Sequence, residues 1–384
     1  MTTTDSVEST DVVVARVRDA RSTGTTLRIV GNGGWLDAAH PCYAATALSL
    51  GALRGVTEFE PGDFTLTARA GTSLAEIAEV TAREGQWLTL EPHGSRDGTI
   101  GATIATASWG PLASAYGTPR DHLLGCEVVT GLGEVIRAGG RVVKNVAGFD
   151  LARLMTGAWG TLGAITEVTV RLRARPEVDR TLAVSLDGPA DAACDAAWRW
   201  LRSTPFTPLA AELCSAAMAK RIGLDDGAVL LVRLGGNEPL VRAAEQSVAE
   251  LGTPRVTDVA VWDRLRTSEP EGAAVVRLAT TPSSLGALWN DAAATVDIGG
   301  GWAHATLERG VVRCILPGAR DYDWQALRKV MTALRSSGSR IVERQPASFW
   351  PAMSSPIADP LSTKIRQAFD PDSLLNPGIL GTLA

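Results

Sequence analysis

The chain has 384 residues, 45% of them hydrophobic, and carries a formal net charge of −5 at pH 7. This length allows two or three domains with buried cores. No basic block occurs, so we expect no nucleic-acid partner. The start, MTTTDSVEST, has neither the positive nor the apolar region of a signal peptide. Because no run of about 18 apolar residues occurs either, we expect a cytoplasmic protein without a transmembrane segment.

Residues that could ligate a metal are few and scattered. The five cysteines never form a CxxC pair, and the four histidines include no HExxH motif. This pattern argues against an iron–sulfur cluster, a zinc site or a disulfide framework in this chain. It favours a reducing compartment and predicts no metal site.

The first half of the chain predicts short strands and helices joined by glycine-rich turns. Residues 1–11 are polar, and we expect them to be mobile. Residues 27–30 predict a strand that ends in the glycine run 31–34. Ser73 predicts the start of a helix, because Glu76 follows three residues later and completes a capping box.

Three further elements are predicted before residue 160. Residues 87–90 predict a strand that Pro92 ends. Residues 126–136 predict a β-hairpin whose loop is Gly131-Leu132-Gly133. Asp150 predicts the N-cap of a short helix over residues 151–156, and Gly157 predicts its C-terminal end.

After Pro176 the pattern changes to strands that alternate with longer amphipathic helices. The predicted strands cover 228–234, 274–279 and 311–316, and the predicted helices cover 240–251 and 322–335. This order predicts an α+β domain with an antiparallel sheet. From residue 341 onward the chain has too little apolar periodicity to fold alone. We therefore expect one domain over 12–176, a second over 177–340, and a segment 341–384 that returns to the first.

The run from Gly139 to Arg173 is the most informative part of the sequence. It contains a basic residue, Lys144, in a short loop, and then the glycines 148, 157, 160 and 163. A strand follows in which Val168 and Val170 alternate with polar residues. Glycines so dense beside regular structure indicate that the backbone lies close to something, which we expect to be a cofactor.

The loop Gly31-Asn32-Gly33-Gly34-Trp35 follows the first predicted strand directly. Successive N–H groups in such a loop can bind a phosphate oxygen, although a plain tight turn explains the loop equally well. The loop is not a Rossmann fingerprint, because the sixth position of GxGxxG falls on Leu36. It is not a Walker A loop either, so binding of a nicotinamide dinucleotide is unsupported.

Residues 91–121 form a second segment rich in glycine, alanine, serine and threonine. Residues this small leave little side chain to fill a core. A large flat ligand lying against the backbone would fill that space and accept hydrogen bonds from its N–H and hydroxyl groups. A flexible linker is the alternative, but the interspersed Ile100, Ile104 and Trp109 argue against it.

Several of these motifs occur together in one order: GNGGW, DGTIGATIAT, GTPRD, KNVAGFDLARLMTGAWGTLGAITEV and DPDSLLNPG. In this arrangement the chain resembles the PCMH-type FAD-binding fold of the vanillyl-alcohol oxidase family. Within that family it is most similar to the smaller FAD-binding subunits of bacterial glycolate oxidases. The resemblance covers about residues 12–176 and the last thirty, and the KNVAGFD run is its most specific part.

The resemblance implies an FAD site built from both glycine segments. The loop 31–35 would wrap the pyrophosphate, residues 92–121 would form a second loop, residues 160–165 would lie near the adenine and ribose, and Asn376 would return towards the flavin ring. Lys144 would lie near the flavin or its phosphates, or else be a solvated loop lysine. The implied cofactor-binding residues are Gly31, Asn32, Gly33, Gly34, Trp35, Pro92, Gly98, Thr99, Ile100, Gly101, Ala102, Gly110, Gly117, Asp121, Lys144, Gly160, Gly163, Ile165 and Asn376.

The resemblance also implies that FAD is bound non-covalently. Members with covalent flavin carry a histidine in the first glycine loop or a cysteine in the second. Here Trp35 stands in the first loop, and no cysteine lies between Cys42 and Cys126.

The implied function is that of a subunit in a complex that oxidises glycolate to glyoxylate with flavin-mediated electron transfer. Its partners would be a larger FAD-binding catalytic subunit and an iron–sulfur subunit, through which it could associate with the inner face of the membrane. One alternative is a self-sufficient FAD-linked dehydrogenase of a 2-hydroxy acid or alcohol. Another is a non-catalytic scaffold subunit.

The sequence identifies no catalytic residue. Relatives that oxidise 2-hydroxy acids carry a histidine pair of the GDGNLH kind, whereas this chain has Gly299-Gly300-Gly301 and a single His304 in that region. We interpret His304 as a packed or an exposed residue on a strand. Because the histidine pair is missing, we rank the self-sufficient enzyme second.

Overall fold

The computed structural model describes residues 3–140, 150–186, 188–224, 227–318, 329, 332–333, 339–346, 350 and 359–381. The chain divides into two compact units. The first contains Met1–Trp109, Gly117–Arg175 and Ala347–Ala384; the second contains Gly110–Tyr116 and Pro176–Pro346. Most of the helix predicted over 322–335 lies outside the described residues.

The elements up to residue 175 are short. In chain order they are β1 (Thr3–Ser6), α1 (Thr10–Thr23), β2 (Leu27–Val30), β3 (Thr46–Ser49), β4 (Val56–Glu60), β5 (Thr65–Arg69), α2 (Leu74–Ala82), β6 (Gln86–Trp87), α3 (Ile100–Thr106), α4 (Ala113–Tyr116), α5 (Pro119–His122), β7 (Leu123–Val129), β8 (Val135–Gly139), α6 (Leu151–Met155), β9 (Ala164–Arg171) and β10 (Arg173–Ala174).

Longer elements follow: β11 (Val178–Ser185), α7 (Ala190–Ser203), β12 (Ala210–Cys214), α8 (Ala216–Arg221), β13 (Val229–Gly236), α9 (Glu238–Val248), β14 (Pro254–Thr257), α10 (Val261–Arg266), β15 (Ala274–Ala279), α11 (Leu285–Ile298), β16 (Trp302–Thr306), β17 (Val311–Leu316), β18 (Ser339–Arg344) and α12 (Pro360–Phe369). Helix α4 belongs to the second unit and α12 to the first.

The first unit is built on two main sheets. A parallel sheet has the strand order β1-β3-β2, and an antiparallel sheet has the order β4-β5-β9-β7-β8. Val168 and Val170 on β9 are fully buried and their neighbours are half-buried, which confirms the predicted alternation. The helix caps were also predicted correctly. Ser73 accepts from the N–H of Glu76, and Asp150 accepts from that of Arg153.

The second unit is built on one eight-stranded antiparallel sheet of order β14-β11-β13-β12-β16-β17-β15-β18. Strands β15 and β17 have the predicted bounds. Apolar residues from β13 and β15 pack with α8 and α10 in one buried cluster, which includes Val229, Val275 and Leu265. This arrangement confirms the α+β class.

Two predictions differ from the structure. Residues 3–6, expected to be mobile, form β1, and Val7 after them is fully buried. Polar strand residues can gain the hydrogen bonds of a ladder without a hydrophobic face, and Val7 anchors the segment. The strand predicted over residues 87–90 is reduced to β6, because only Gln86 and Trp87 find a partner strand in β10.

The C-terminal segment returns to the first unit, as expected from its composition. Leu27 on β2 donates its N–H to the carbonyl of Leu374, and Asn376 donates its N–H to the carbonyl of Leu27. The chain end thereby extends the edge of the parallel sheet at β2.

Candidate cofactor-binding site

A cavity in the first unit encloses about 810 Å³ of empty space, part of it open to solvent. Its walls come from the end of β2, helix α3, the turn before β9 and the C-terminal segment. The predicted site residues that line it are Gly31, Asn32, Gly33, Gly34, Trp35, Gly98, Thr99, Gly101, Ala102, Gly160, Gly163, Ile165 and Asn376.

Several glycines in the lining are required by the packing of the protein itself. A Cβ on Gly31 would lie 2.5 Å from Oγ1 of Thr99, and one on Gly101 would lie 2.6 Å from Cβ of Ala70. Such distances exclude any side chain, so Gly31 lets the end of β2 approach the start of α3, and Gly101 lets α3 approach the end of β5. At Gly34, in contrast, an added Cβ meets nothing within 4 Å. The glycines therefore shape the cavity first, and only some of them leave space that a ligand could enter.

The loop after β2 offers hydrogen-bond donors. Within the described part of the chain, the N–H groups of Gly31, Asn32 and Gly33 make no hydrogen bond. Asn32 fixes the loop by donating from Nδ2 to the carbonyl of Asp97 at 2.8 Å. Arg28 also lines the cavity and brings a positive charge to it. Consecutive backbone donors beside a cation suit a phosphate group.

The start of α3 shapes the cavity but offers it few free hydrogen-bond donors. Ile100 and Gly101 donate their N–H groups to the carbonyls of Thr72 and Ala70, each at 2.9 Å. Ala102 donates to the hydroxyl of Thr99, the N-cap of α3. These three N–H groups are therefore committed within the protein, contrary to the expectation that this segment would donate them to a ligand.

Asn376 joins three segments through its side chain, which is 2% exposed. Its Oδ1 accepts from the N–H of Ile29 at 2.7 Å, and its Nδ2 donates to the carbonyl of Trp159 at 2.6 Å. Both halves of the amide hold the cavity wall together. In the structure, then, Asn376 positions the wall as well as lining it.

The remaining predicted residues that the structure describes do not line this cavity. Ile100 is fully buried in the core of the first unit. The carboxylate of Asp121 accepts from the N–H and hydroxyl of Thr118, in the capping box of α5 after Gly117. Pro92 is buried elsewhere in the first unit, Gly110 belongs to the second unit, and Lys144 lies outside the described residues. Cofactor contact by these residues stays a prediction.

Sequence reasoning missed Trp159 as a site residue. Trp159 lines the cavity, and its ring meets that of Trp35 edge-to-face, with centroids 5.8 Å apart at an interplanar angle of 87°. One signal was available: a single large aromatic residue stands among the small residues of the turn GAWGTLG.

The second unit contains a buried acid–base cluster on its sheet. His304 on β16 donates from Nδ1 to Glu212 on β12 at 2.7 Å, and Thr306 donates to the other oxygen of Glu212 at 2.6 Å. All three side chains are buried. Burial raises the pKa of the nearby Glu308 to about 7, and the charge of Glu212 adds to the rise, while Ser114 and Arg309 oppose it. Of the two alternatives for His304, packed or exposed, the structure shows the buried one, and it adds an ionisable partner that the sequence did not reveal.

The described residues contain neither a metal-binding cluster nor a membrane-spanning helix. No group of three or more His, Cys, Asp or Glu residues among them could hold a metal ion. Likewise, none of the helices within the described ranges combines the length and the apolar character needed to cross a bilayer.

Comparison with known proteins agrees with a cofactor-binding role for this cavity. Residues 4–139 match the protein family described as FAD binding domain. The chain therefore contains an FAD-binding domain and is similar to proteins named as FAD-linked oxidoreductases. Over 377 residues it is 28% identical to glycolate oxidase subunit GlcE of Escherichia coli, covering 95% of each chain. It is 36% identical to glycolate oxidase subunit GlcD of Bacillus subtilis over 127 residues, which cover 33% of this chain and 27% of that protein.

The fold of the chain matches that of a solved oxidase. With 4-ethylphenol oxidase from Gulosibacter chungangensis the TM-score is 0.73 at 16% identity, covering 99% of this chain and 89% of the other. The fold is therefore of the PCMH type. The residues of the cavity fit FAD: free backbone donors and Arg28 suit the diphosphate, and the volume suits the rings.

Proposed function

We propose that the chain is a non-covalent FAD-binding subunit of a glycolate oxidase-like complex that oxidises glycolate to glyoxylate. The observation that carries this proposal is the cavity closed by two glycine segments and Asn376, together with the end-to-end similarity to glycolate oxidase subunit GlcE. FAD, when bound, supplies the two-electron acceptor for such an oxidation.

The chain's own residues have three tasks in this proposal. Backbone N–H groups of Gly31, Asn32 and Gly33 hold the diphosphate, and Arg28 neutralises part of its charge. Thr99 packs against Gly31 and so fixes the distance between the loop and α3. Asn376 ties the wall behind the cofactor.

Binding without a covalent link is supported by the composition of the cavity. Neither a histidine nor a cysteine is among the described residues that line it. Retention of flavin then depends on these contacts alone. We expect the flavin to be released intact when the purified protein is denatured, and flavin that stays with the precipitated polypeptide would contradict non-covalent binding.

As partners we propose a larger FAD-binding catalytic subunit and an iron–sulfur subunit; the similarity to subunits GlcE and GlcD supports an assembly of the glycolate oxidase type. Such partners could bring the chain, otherwise cytoplasmic, to the inner face of the membrane.

A second candidate is a self-sufficient FAD-linked dehydrogenase of a 2-hydroxy acid or alcohol. The pair His304–Glu212 favours it, because an imidazole oriented by a buried carboxylate is a common general base. Under the first proposal this pair is structural.

One spectrum separates the candidates. The chain is purified alone, its absorption is recorded, and glycolate or lactate is added without oxygen. A yellow protein that keeps its colour supports the subunit role, whereas bleaching supports the self-sufficient enzyme. A colourless protein that still co-purifies with larger subunits would indicate a scaffold and overturn both.

A further inference from the structure

Trp159 has a backbone conformation that is rare for a bulky residue. Its φ is +53°, in the left-handed region that glycine adopts freely and large side chains avoid. Its neighbours Gly157 and Gly160 also have positive φ values, of 81° and 68°. The turn thus retains a large ring at a position where glycine would be less strained. Strained residues of this kind persist where the surrounding structure holds them, and they cluster at ligand sites.

The backbone of Trp159 is fixed from two sides. Its N–H donates to the carbonyl of Ala105 on α3 at 2.8 Å. Its carbonyl accepts from Nδ2 of Asn376 at 2.6 Å. These partners come from segments far apart in the sequence, so the placement of the ring is set by the tertiary structure.

The ring itself stands beside a second aromatic residue and an open space. Among the described residues that line the cavity, Trp35 and Trp159 carry the aromatic rings. Both side chains are half-buried, and the lining around them includes the small residues Gly101, Ala102 and Ala105. Because the two rings are perpendicular, contact with Trp35 supports Trp159 without covering both of its faces.

We propose that Trp159, supported by Trp35, stacks on a flat ring of the bound dinucleotide. This inference rests on the proposed binding of FAD and adds the residue that recognises its aromatic part. The isoalloxazine and the adenine offer the same chemistry, an extended π-face. Stacking of this kind changes the dissociation constant by roughly 5- to 100-fold when the aromatic residue is removed.

The test compares the affinity of full-length apoprotein for FAD among four variants. Trp159→Asn removes the ring but keeps a residue that tolerates positive φ. Trp159→Phe keeps an aromatic face, and Trp35→Phe alters the support. The control is Trp87→Phe, since Trp87 is buried in the same unit, donates to the carbonyl of Ala174 and does not line the cavity.

We expect Trp159→Asn to weaken FAD binding by roughly 5- to 100-fold, Trp159→Phe and Trp35→Phe to weaken it less, and the control to leave it unchanged. Melting temperatures of the apoproteins accompany each titration, because a purely structural role would lower them in step with affinity. If Trp159→Asn does not fold, the fraction of tryptophan emission that FAD quenches is compared between wild type and Trp159→Phe. A smaller fraction in Trp159→Phe supports the contact, and an equal fraction overturns the inference.

Titrations with FMN and with ADP identify the ring. If Trp159→Asn binds FMN more weakly but ADP as before, Trp159 stacks on the isoalloxazine. If it binds ADP more weakly but FMN as before, Trp159 stacks on the adenine. A folded Trp159→Asn protein with unchanged affinity for FAD, FMN and ADP overturns the inference and leaves the proposed function standing. Wild-type protein that binds no FAD overturns the proposed function instead.

Discussion

In the first unit the cavity is lined largely by backbone and short side chains, with glycines where segments meet. In the second unit the polar chemistry lies in long charged side chains buried on the sheet, such as Arg313 between Glu269 and Glu343. Burial alone would raise the pKa of Glu343, but Arg313 and Arg277 outweigh that effect and the pKa lies below its ordinary value.

The two units tolerate different kinds of substitution. Where backbone meets backbone, an added methyl group is the damaging change. Where charges are buried, the damaging change is the loss of one partner, because the other is left unpaired in a medium of low polarity. The following changes test whether the two units really follow these separate rules.

Arg313→Met should have the largest effect on stability. Arg313 is 6% exposed, and Nε donates to Glu269 at 2.7 Å. The substitution removes the partner that the two buried carboxylates share and leaves them only the longer contacts with Arg344 and Arg277. We expect a cost of about 3–5 kcal/mol. Denaturant unfolding followed by tryptophan fluorescence measures it.

The matched control is Arg242→Met, in the exposed pair of Arg242 with Glu238 on α9, which should cost at most about 0.5 kcal/mol. Equal unfolding midpoints for Arg313→Met and Arg242→Met would show that the second unit does not depend on its buried charges.

Asn376→Ala should be the next largest change. It leaves the N–H of Ile29 and the carbonyl of Trp159 without their partner, at a cost of about 2–4 kcal/mol. Flavin content after gel filtration should fall together with the melting temperature. Asn237→Ala is the control: Asn237 caps α9 in the second unit, so its loss should cost about 1 kcal/mol and leave flavin content unchanged. Full flavin content in Asn376→Ala would contradict the role given to this side chain.

Gly101→Ala should destabilise the first unit by about 1–3 kcal/mol, because the new Cβ would overlap Ala70. Gly34→Ala adds the same methyl group where nothing lies within 4 Å and should change the stability of the apoprotein by less than about 0.5 kcal/mol. Thermal unfolding of the two apoproteins measures this difference as a difference in melting temperature. Equal melting temperatures for Gly101→Ala and Gly34→Ala would contradict the steric explanation.

Glu308 provides the smallest and most selective test. Since its pKa is raised from 4.5 in the ordinary state to about 7 in the folded protein, the folded state holds a proton that the unfolded state releases. The stabilisation is complete below the ordinary pKa and is lost as the pH rises through about 7.

We expect the free energy of unfolding to fall by about 1 kcal/mol as the pH rises from about 5.5 to about 6.5. Glu308→Gln should remove this slope. An unchanged slope in Glu308→Gln, measured by denaturant titration at both pH values, would assign the pH dependence to other groups.

Local patterns predicted much of the fold. The caps at Ser73 and Asp150 and the alternation on β9 depend on residues within a few positions of each other, so a sequence window contains the whole cause. The glycine loop and the turn before β9 were likewise recognised as neighbours of one cavity, through a resemblance carried by several motifs in a fixed order.

What the sequence could not supply depends on distant partners. Glu212 and His304 are 92 residues apart, and Asn376 and Ile29 are 347 apart. The reason for Gly31 is equally remote, because the atom that excludes a side chain there belongs to Thr99. Density of glycine indicated close approach, but only the tertiary structure shows that the approaching group is often the chain itself.

The hydrogen bonds between β2 and residues 374–376 have a consequence for biosynthesis. A ribosome completes β2 early, then makes the entire second unit, and only later releases the residues that close the cavity wall. N-terminal regions commonly fold while synthesis continues. The wall of this cavity, however, is complete only after residues 374–376 have been synthesised. Acquisition of the prosthetic group is therefore a late maturation step, and nascent chains stalled before residue 374 should emerge colourless.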